Sequence, residues 1–231
     1  MHISIIIPIY NEGNIIKDNI EKIEHFFENK YKYEIIVIDD GSIDNCLSIL
    51  KSLASNKIKI LSNKTNLGKG YSLKRGIIEA KGEIILTMDA DLSAPLSEFE
   101  KLLAKYSPKN QFVIGSRNKK NSKLNHKQSF LRFFLGVIFN FLIKLILGLN
   151  YKDTQCGFKL YDAKKIKSII KLCRINRFCI DVEILYLSKL KLITVYEEGI
   201  KWNYNNKSTV KLMFDPLNMF IDLIKIRFKK Y

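Results

Sequence analysis

Two aspartates stand two apart in MDADLSAP (88–95), directly after a short apolar run, and in an extended chain Asp89 and Asp91 project to one side. Two hard oxygen ligands on one face suit Mg²⁺ or Mn²⁺, ions that keep several waters and complete their shell with substrate phosphates. A lone Asp-x-Asp also arises where acidic residues solvate a strand end or cap the next helix. Here a second acidic pair, Asp39-Asp40, precedes Gly41-Ser42. Two accounts of that pair hold together: a turn and helix cap built on Gly41 and Ser42 or Asp44, and an Asp40 carboxylate accepting hydrogen bonds from a nucleotide base or ribose. Gly68-Lys69-Gly70 opens a helical pattern, where free N–H groups and the helix dipole favour an anion and Lys69 adds charge. It is neither a P-loop nor a G-x-G-x-x-G turn, so ATPase and dinucleotide readings lose their support.

Positioning these groups requires alternating strands and helices. Short, nearly continuous apolar runs at 3–9, 33–39, 58–61, 83–89 and 111–115 read as strands buried on both faces. Helical patterns fall between them at 13–30, 44–55, 69–80 and 95–106. That order predicts an α/β fold with a mostly parallel sheet, right-handed crossovers and helices on both faces, and ligands beyond the carboxyl ends of the strands. Tyr10-Asn11-Glu12, Asp39-Asp40-Gly41-Ser42, Asp89-Ala90-Asp91 and Gly115-Ser116-Arg117 all fall there. Further on, 117–129 reads as a basic loop, 130–149 as an apolar helical stretch, and 153–162 as a loop. Two helices (162–172 and 181–190), two short strands around 192–204 and a basic amphipathic helix at 213–230 follow. The economical organisation is a single domain over 1–231, with a nucleotide-binding half (1–117), an acceptor and sugar half (118–212) and a C-terminal helix (213–231).

The 231 residues are 47% hydrophobic and 27% charged, which excludes disordered, collagen-like and disulfide-built classes. A formal charge of +16 favours anionic partners, although only six basic residues are Arg and part of the excess is compositional. Cys46, Cys156, Cys173 and Cys179 are scattered, with neither zinc nor disulfide spacing, and a reducing compartment fits them. The N-terminal run lacks a basic n-region and a cleavage site and reads as a core strand, not a leader. No nucleic acid is expected as a partner, because the chain has no zinc finger, RNA-binding motif or aromatic-interleaved basic platform.

IIIPIYNE (5–12), VIDDGSIDN (37–45), NLGKGYSLKRG (66–76), MDADLSAP (88–95), GSR (115–117) and DTQCGFKLY (153–161) together resemble glycosyltransferase family 2. The likeness is to its dolichyl-phosphate β-glucosyltransferase and mannosyltransferase branch. It runs over essentially the whole chain, and DTQCGFK followed by FCIDVEIL (178–185) points to the glucosyltransferase side. The resemblance implies a GT-A fold, a nucleotide-sugar donor with UDP-glucose favoured, Mg²⁺ or Mn²⁺ as cofactor, and inverting transfer to a polyprenyl phosphate. Carried over by motif, Pro8, Tyr10, Glu12, Ile38 and Asp40 hold base and ribose, while Asp89, Ala90 and Asp91 engage ribose and metal-diphosphate. Arg117 meets a phosphate, and Asp153 and Gln155 lie near the sugar or the acceptor. Two departures stand out: Leu92-Ser93 follows the Asp-x-Asp, and NYNNKSTVK follows Trp202, where Lys207 or Lys211 replaces a family cation. The Q-x-x-R-W signature of processive members is absent, which argues against polymer synthesis.

A phosphate monoester has a second pKa near ~6, so such an acceptor is already an oxyanion and needs no strong base. The harder task is stabilising the departing diphosphate, for which a metal on Asp91, with Lys69 and Arg117, is the natural device. Asp181 and Glu183, two apart, either orient acceptor or sugar or, for Asp181, cap a helix. GDP-mannose or UDP-N-acetylglucosamine as donor and a non-lipid acceptor stand beside the leading reading. A catalytically silent binding module is the alternative from another class, and intact Asp89, Asp91 and Arg117 weigh against it.

The 130–149 stretch is long enough to span ~30 Å as a helix. Arg132, Gly136, Asn140, Lys144 and Gly148 recur every four residues, which suggests a monotopic helix or helical hairpin. Such an element turns this stripe to protein or headgroups and its Phe, Leu and Ile to acyl chains. An ordinary core helix pair is the competing reading. With the basic tail, the expected place is peripheral or monotopic on an anionic membrane surface at its cytosolic face: endoplasmic reticulum in a eukaryote, plasma membrane in a bacterium.

Overall fold

Isoleucine at five of the eight positions of β1 (His2–Ile9) leaves little polar alternation, and the strand is buried on both sides at the middle of a sheet. The computed structural model describes residues 1–125, 130–203 and 215–231, the side chains at 125, 130–132 and 215 excepted. β1 runs parallel to β2 (Lys32–Asp39) on one side and to β4 (Ile84–Thr87) on the other, and β3 (Ile58–Ser62) extends the sheet beyond β2. Ile9, Asp39 and Ser62 share one register, so the loops after these strands leave along one edge.

The side-chain period of two divides β1 between two helical layers. Ile3, Ile5, Ile7 and Ile9 pack in the core that includes α1 (Ile16–Phe27), α2 (Cys46–Leu53) and α4 (Glu98–Lys105). Ile6 joins Ile36 and Ile38 in the opposite core, under α3 (Lys69–Glu79), α6 (Ala163–Ile170) and α7 (Ile180–Leu190). These strands and helices fall where the sequence places them, within a few residues at their ends. All four cysteines are free and buried.

Two expected loops contain strands. Residues 159–162 form β7 (Lys159–Asp162), which lies antiparallel between β4 and β5 (Phe112–Ser116). Leu160 and Tyr161 enter opposite cores, and Lys159, wholly buried, gives the run its loop-like polarity. With β8 (Val195–Gly199) parallel to β5, the seven-stranded order is β3-β2-β1-β4-β7-β5-β8. Within the expected basic loop, β6 (Lys123–Asn125) pairs in parallel with β9 (Lys201–Asn203) as a two-stranded ribbon.

The apolar stretch forms one helix, α5 (Phe130–Leu147), not a hairpin, and it packs against α8 (Asp215–Phe228). Ile143 and Leu147 of α5, Leu223 and Ile226 of α8, and Leu185 of α7 share a third core. Phe133, Phe134, Val137, Ile138, Phe141 and Leu145 remain exposed, so α5 is not an ordinary core helix. The four-residue stripe does not turn to protein as a unit. Asn140 does, donating to the carbonyls of Tyr151 and Lys152, whereas Gly136, Lys144 and Gly148 are exposed. A row spaced by four residues drifts about 40° per step around a helix and cannot hold one face over five positions. Among the described residues no helix is long and apolar enough to cross a membrane.

Candidate active site

The loops on the carboxyl edge are tied to one another by short hydrogen bonds. Asn11, in left-handed backbone, accepts from the Ile43 N–H at 2.9 Å and donates its own N–H to Ser42 Oγ at 2.9 Å. Asp44 accepts from the Gly13 N–H at 2.9 Å. The Tyr10–Glu12 segment is thereby held beside the turn that follows Asp40.

Asp40 is nearly buried, and its carboxylate already has four donors: the N–H groups of Leu67 (3.1 Å) and Gly68 (2.8 Å), Asn63 Nδ2 (2.7 Å) and Ser72 Oγ (3.0 Å). That matches the acceptor capacity of a carboxylate. Its partners in the structure are the approach to α3 and that helix's first turn. Part of the anion site expected at this N-terminus is taken up from within. Asp40 takes two N–H groups and the Asn176 carbonyl takes a third, that of Tyr71, at 3.0 Å. Gly68 adopts φ +97°, and a Cβ on Gly70 would meet the Arg177 carbonyl oxygen at 2.8 Å.

With the backbone so fixed, Lys69 extends toward the strand edge and meets Asp89 at 2.6 Å. Burial works against both charges, yet each is held ionised by the other. Lys69, its hydrogen bond and the more distant Arg117 and Lys159 keep the Asp89 carboxyl below the usual carboxylate range. Asp89 and Asp181 raise the Lys69 ammonium above its ordinary value. Gly157 lies against Asp89 so closely that a methyl group there would overlap the carboxylate.

Asp91 accepts from the N–H (2.9 Å) and hydroxyl (2.7 Å) of Ser93, so the serine after the Asp-x-Asp fixes the second aspartate. Leu92 between them takes φ +52°, Asn19 Nδ2 holds the Ala90 carbonyl at 2.9 Å, and Asn203 N–H holds that of Ser93 at 2.7 Å. Among the described residues no three His, Cys, Asp or Glu side chains converge as a complete metal cage. The donor set, two aspartates and a serine hydroxyl, fits Mg²⁺ or Mn²⁺ bound through one or two carboxylates with substrate phosphates supplying the remainder.

Arg117 forms a two-pronged pair with Asp153, Nε to Oδ2 at 2.6 Å and Nη2 to Oδ1 at 2.9 Å, and its own N–H donates to Oδ2 at 3.0 Å. Asp153 also accepts from the N–H groups of Gln155 (3.2 Å) and Cys156 (3.1 Å). Burial pushes the Asp153 carboxyl up, but Arg117 outweighs it and holds it below the usual range. Asp153 thus sits behind Arg117, and Gln155 follows on the same turn. The guanidinium stacks over Trp202 at 5.1 Å from the ring centre. Trp202, Met88, Ala94 and Phe158 line a narrow recess beside Asp89.

Asp181 does not cap α7. It is buried in an ion pair with Lys159, whose ammonium also donates to the Thr154 carbonyl. Glu183 is likewise interior and accepts from the N–H groups of Arg174 and Ile175. Of the expected base-binding residues, Ile38 has its side chain wholly buried beneath Gly76 of α3, and Pro8, Tyr10 and Glu12 are partly exposed at the edge. Lys207 and Lys211 lie outside the described residues. Lys159, Gly157 and Trp202 were not singled out as site residues from the sequence; a lysine inside the apolar run FKLY was the signal available for the first.

Comparison with known proteins gives the family and the fold. The glycosyl transferase family 2 model matches residues 4–170. Proteins named dolichyl-phosphate beta-glucosyltransferase are similar almost end to end: that of Dictyostelium discoideum is 33% identical over 244 residues, 99% of this chain and 75% of the relative. That of Saccharomyces cerevisiae is 33% identical over 246 residues, 97% of this chain and 74% of its own. Among solved structures, glucosyl-3-phosphoglycerate synthase of Mycobacterium tuberculosis superposes with a TM-score of 0.73 at 18% identity, covering 99% of this chain and 81% of that one. The same enzyme in complex with Mn²⁺ and UDP-glucose gives 0.67 at 18% identity, covering 97% and 77%. The sheet and its flanking helices are thus the GT-A fold. The chain belongs to glycosyltransferase family 2, as a hexosyltransferase similar to the dolichyl-phosphate β-glucosyltransferases.

Proposed function

We propose that the chain moves glucose from UDP-glucose to dolichyl or another polyprenyl phosphate, with inversion and with Mg²⁺ or Mn²⁺. The observation that carries this reading is the Lys69–Asp89 pair at the carboxyl edge, beside Asp91 and within electrostatic reach of Arg117. That is a set of charges suited to a diphosphate leaving group. The likeness, over nearly all of this chain and about three quarters of each relative, to enzymes named for dolichyl phosphate and glucose supports the substrate classes.

In this reading an acceptor phosphate oxygen attacks the anomeric carbon from the face opposite the nucleotide. The new carbon–oxygen bond forms as the bond to the β-phosphate breaks, and the electron pair leaves with UDP. The acceptor is ionised at neutral pH, so the chain holds no proton for it. Asp89 and Asp91 would hold the cation, which when bound offsets charge on the diphosphate. Lys69 and Arg117 meet the remaining negative charge, with positions already fixed by Asp89 and Asp153, so little reorganisation is needed at the moment of transfer. Pro8, Tyr10 and Glu12 border the base, while Asp40 shapes that border through Leu67–Gly68. Trp202, over Arg117, closes one wall against water.

The lipid acceptor places the chain at a membrane surface. The exposed side chains of α5 and α8 form the contact, with Lys225, Arg227, Lys229 and Lys230 near anionic headgroups. Four free, buried cysteines suit the reducing, cytosolic side. The test incubates the purified chain with a panel of radiolabelled nucleotide sugars, Mg²⁺ or Mn²⁺ and polyprenyl phosphate, and counts label entering the organic phase. Label from UDP-glucose is the expected result. Label from another sugar alone, or none from any, overturns the assignment.

A further inference from the structure

A recess of about 520 Å³ opens between the segment before α7 and the C-terminal half of α8, within the range of small-ligand sites. Its wall carries Arg174, Arg177, Lys225 and Lys229 against two carboxylates, Glu183 and Asp222. Both acids are already engaged. Glu183 accepts from the N–H groups of Arg174 and Ile175 and from the Tyr231 hydroxyl at 2.8 Å, and Asp222 pairs with Lys225 at 3.2 Å. Among the described residues no carboxylate lies within ion-pair distance of the side chains of Arg174, Arg177 or Lys229. Positive charge also accumulates behind them: burial most of all, and the Arg174 guanidinium beside it, push the Lys74 ammonium below its ordinary range.

The two arginines stand on a fixed backbone. The Asn176 carbonyl accepts from Tyr71 N–H at 3.0 Å, and Lys74 Nζ donates to Asn176 Oδ1 at 2.6 Å. The recess takes Asp222, Lys225, Ile226 and Phe228 of α8 and Lys229 just past its end. Leu217, Phe220, Ile221 and Ile224 form a neighbouring face, exposed and apolar, and Phe228, also exposed, borders both it and the recess. One helix thus presents a cationic recess and an uncovered greasy flank side by side, the pattern of an amphiphile with an anionic head.

We infer that this recess receives the phosphate of an anionic lipid headgroup, with the lipid's chains lying along the exposed flank of α8. The inference deepens the membrane-surface reading above and rests on it. It is distinct from sugar transfer, and its test needs no activity. A calorimetric titration compares soluble dihexanoyl-phosphatidic acid, dihexanoyl-phosphatidylcholine and glycerol 3-phosphate on the full chain, on Arg174→Gln with Lys229→Gln, and on a charge-matched control, Lys17→Gln with Lys51→Gln. The control sites lie on α1 and α2, across the sheet.

The phosphatidic acid should bind the native chain and the control alike and the recess variant about tenfold more weakly. Phosphatidylcholine and glycerol 3-phosphate should both bind about tenfold more weakly than phosphatidic acid to the native chain. Equal affinity of the native chain and the recess variant overturns the site, as does equal weakening by the control. Glycerol 3-phosphate binding as tightly as the lipid identifies a free-phosphate site and overturns the lipid assignment. The native chain's own ranking of the three probes decides that point without any variant. Flotation with mixed phosphatidylcholine and phosphatidic acid vesicles separates the two readings: where the titration overturns the recess, native vesicle binding leaves the membrane reading standing, and its absence overturns that reading as well.

Discussion

Arg117 and Asp153 meet through two parallel hydrogen bonds, at 2.6 and 2.9 Å, with the carboxylate buried and the guanidinium a quarter exposed. The acid therefore sets where the cation stands and is itself shielded from solvent. Replacing Asp153 by Asn should lower stability at neutral pH by about 2 kcal/mol, less than a fully buried pair costs because Arg117 is partly solvated. The Asp153 carboxyl is held below its ordinary value in the fold, so its contribution is complete above about pH 4 and is lost as pH falls through the depressed native value. Denaturant unfolding of both chains should show a gap at neutral pH that narrows in acid. A constant gap across that range overturns the electrostatic account.

Lys69 holds Asp89 and, in the proposed reaction, faces the departing diphosphate. Lys69→Met should reduce the transfer rate about a hundredfold, the scale of losing one preorganised charge in a water-poor site. Single-turnover measurements at saturating donor would show this, and an unchanged rate makes Lys69 a structural partner only.

Asp91 is fixed by Ser93 and, in the proposed reaction, helps to hold the cation. Asp91→Ala should abolish transfer and remove the dependence of UDP binding on Mg²⁺ or Mn²⁺, both readable by titration with and without a chelator. Transfer that survives the substitution contradicts the metal assignment.

Gly157 is valuable for the space it leaves. Its Ala variant would overlap the Asp89 carboxylate, the far end of a side chain able to rotate away from Lys69. Transfer should drop tenfold or more, at about one tenth of a typical oxyanion-donor loss at its mildest, while the melting temperature stays nearly constant. Equal activity of Gly157→Ala would mean that the Asp89 position is not critical.

Phe141 is 63% exposed on α5, with Phe134 one face-repeat earlier. Exchanging both for Asp should leave the fold intact and suppress flotation with anionic liposomes. Equal flotation of variant and parent places the contact elsewhere.

The central parallel strands were legible because burial on both faces erases polar alternation. β1 and β2 carry runs of Ile and Val that few other elements tolerate. β7 was hidden for the opposite reason. Its four residues begin with a lysine, and only the long-range partner Asp181 makes that charge acceptable inside the protein. The placing of Asp89, Asp91, Lys69 and Arg117 at the carboxyl edge of the sheet was legible from motif and strand order alone. What motif and spacing could not supply was direction: Asp40 turns inward to the α3 turn and Asp153 turns behind Arg117, and such choices depend on donors that lie far away in sequence.

The antiparallel insertion of β7 has a consequence for biosynthesis. β4 and β5 are neighbours in the chain's order, yet neither touches the other; the slot between them stays vacant until residue 162 has emerged. A nascent chain therefore carries two raw sheet margins through nearly fifty further residues of translation, the interval in which strand margins recruit unwanted company. Residues 1–117 are not a separable module, because their sheet is sealed by a strand from the later part of the polypeptide.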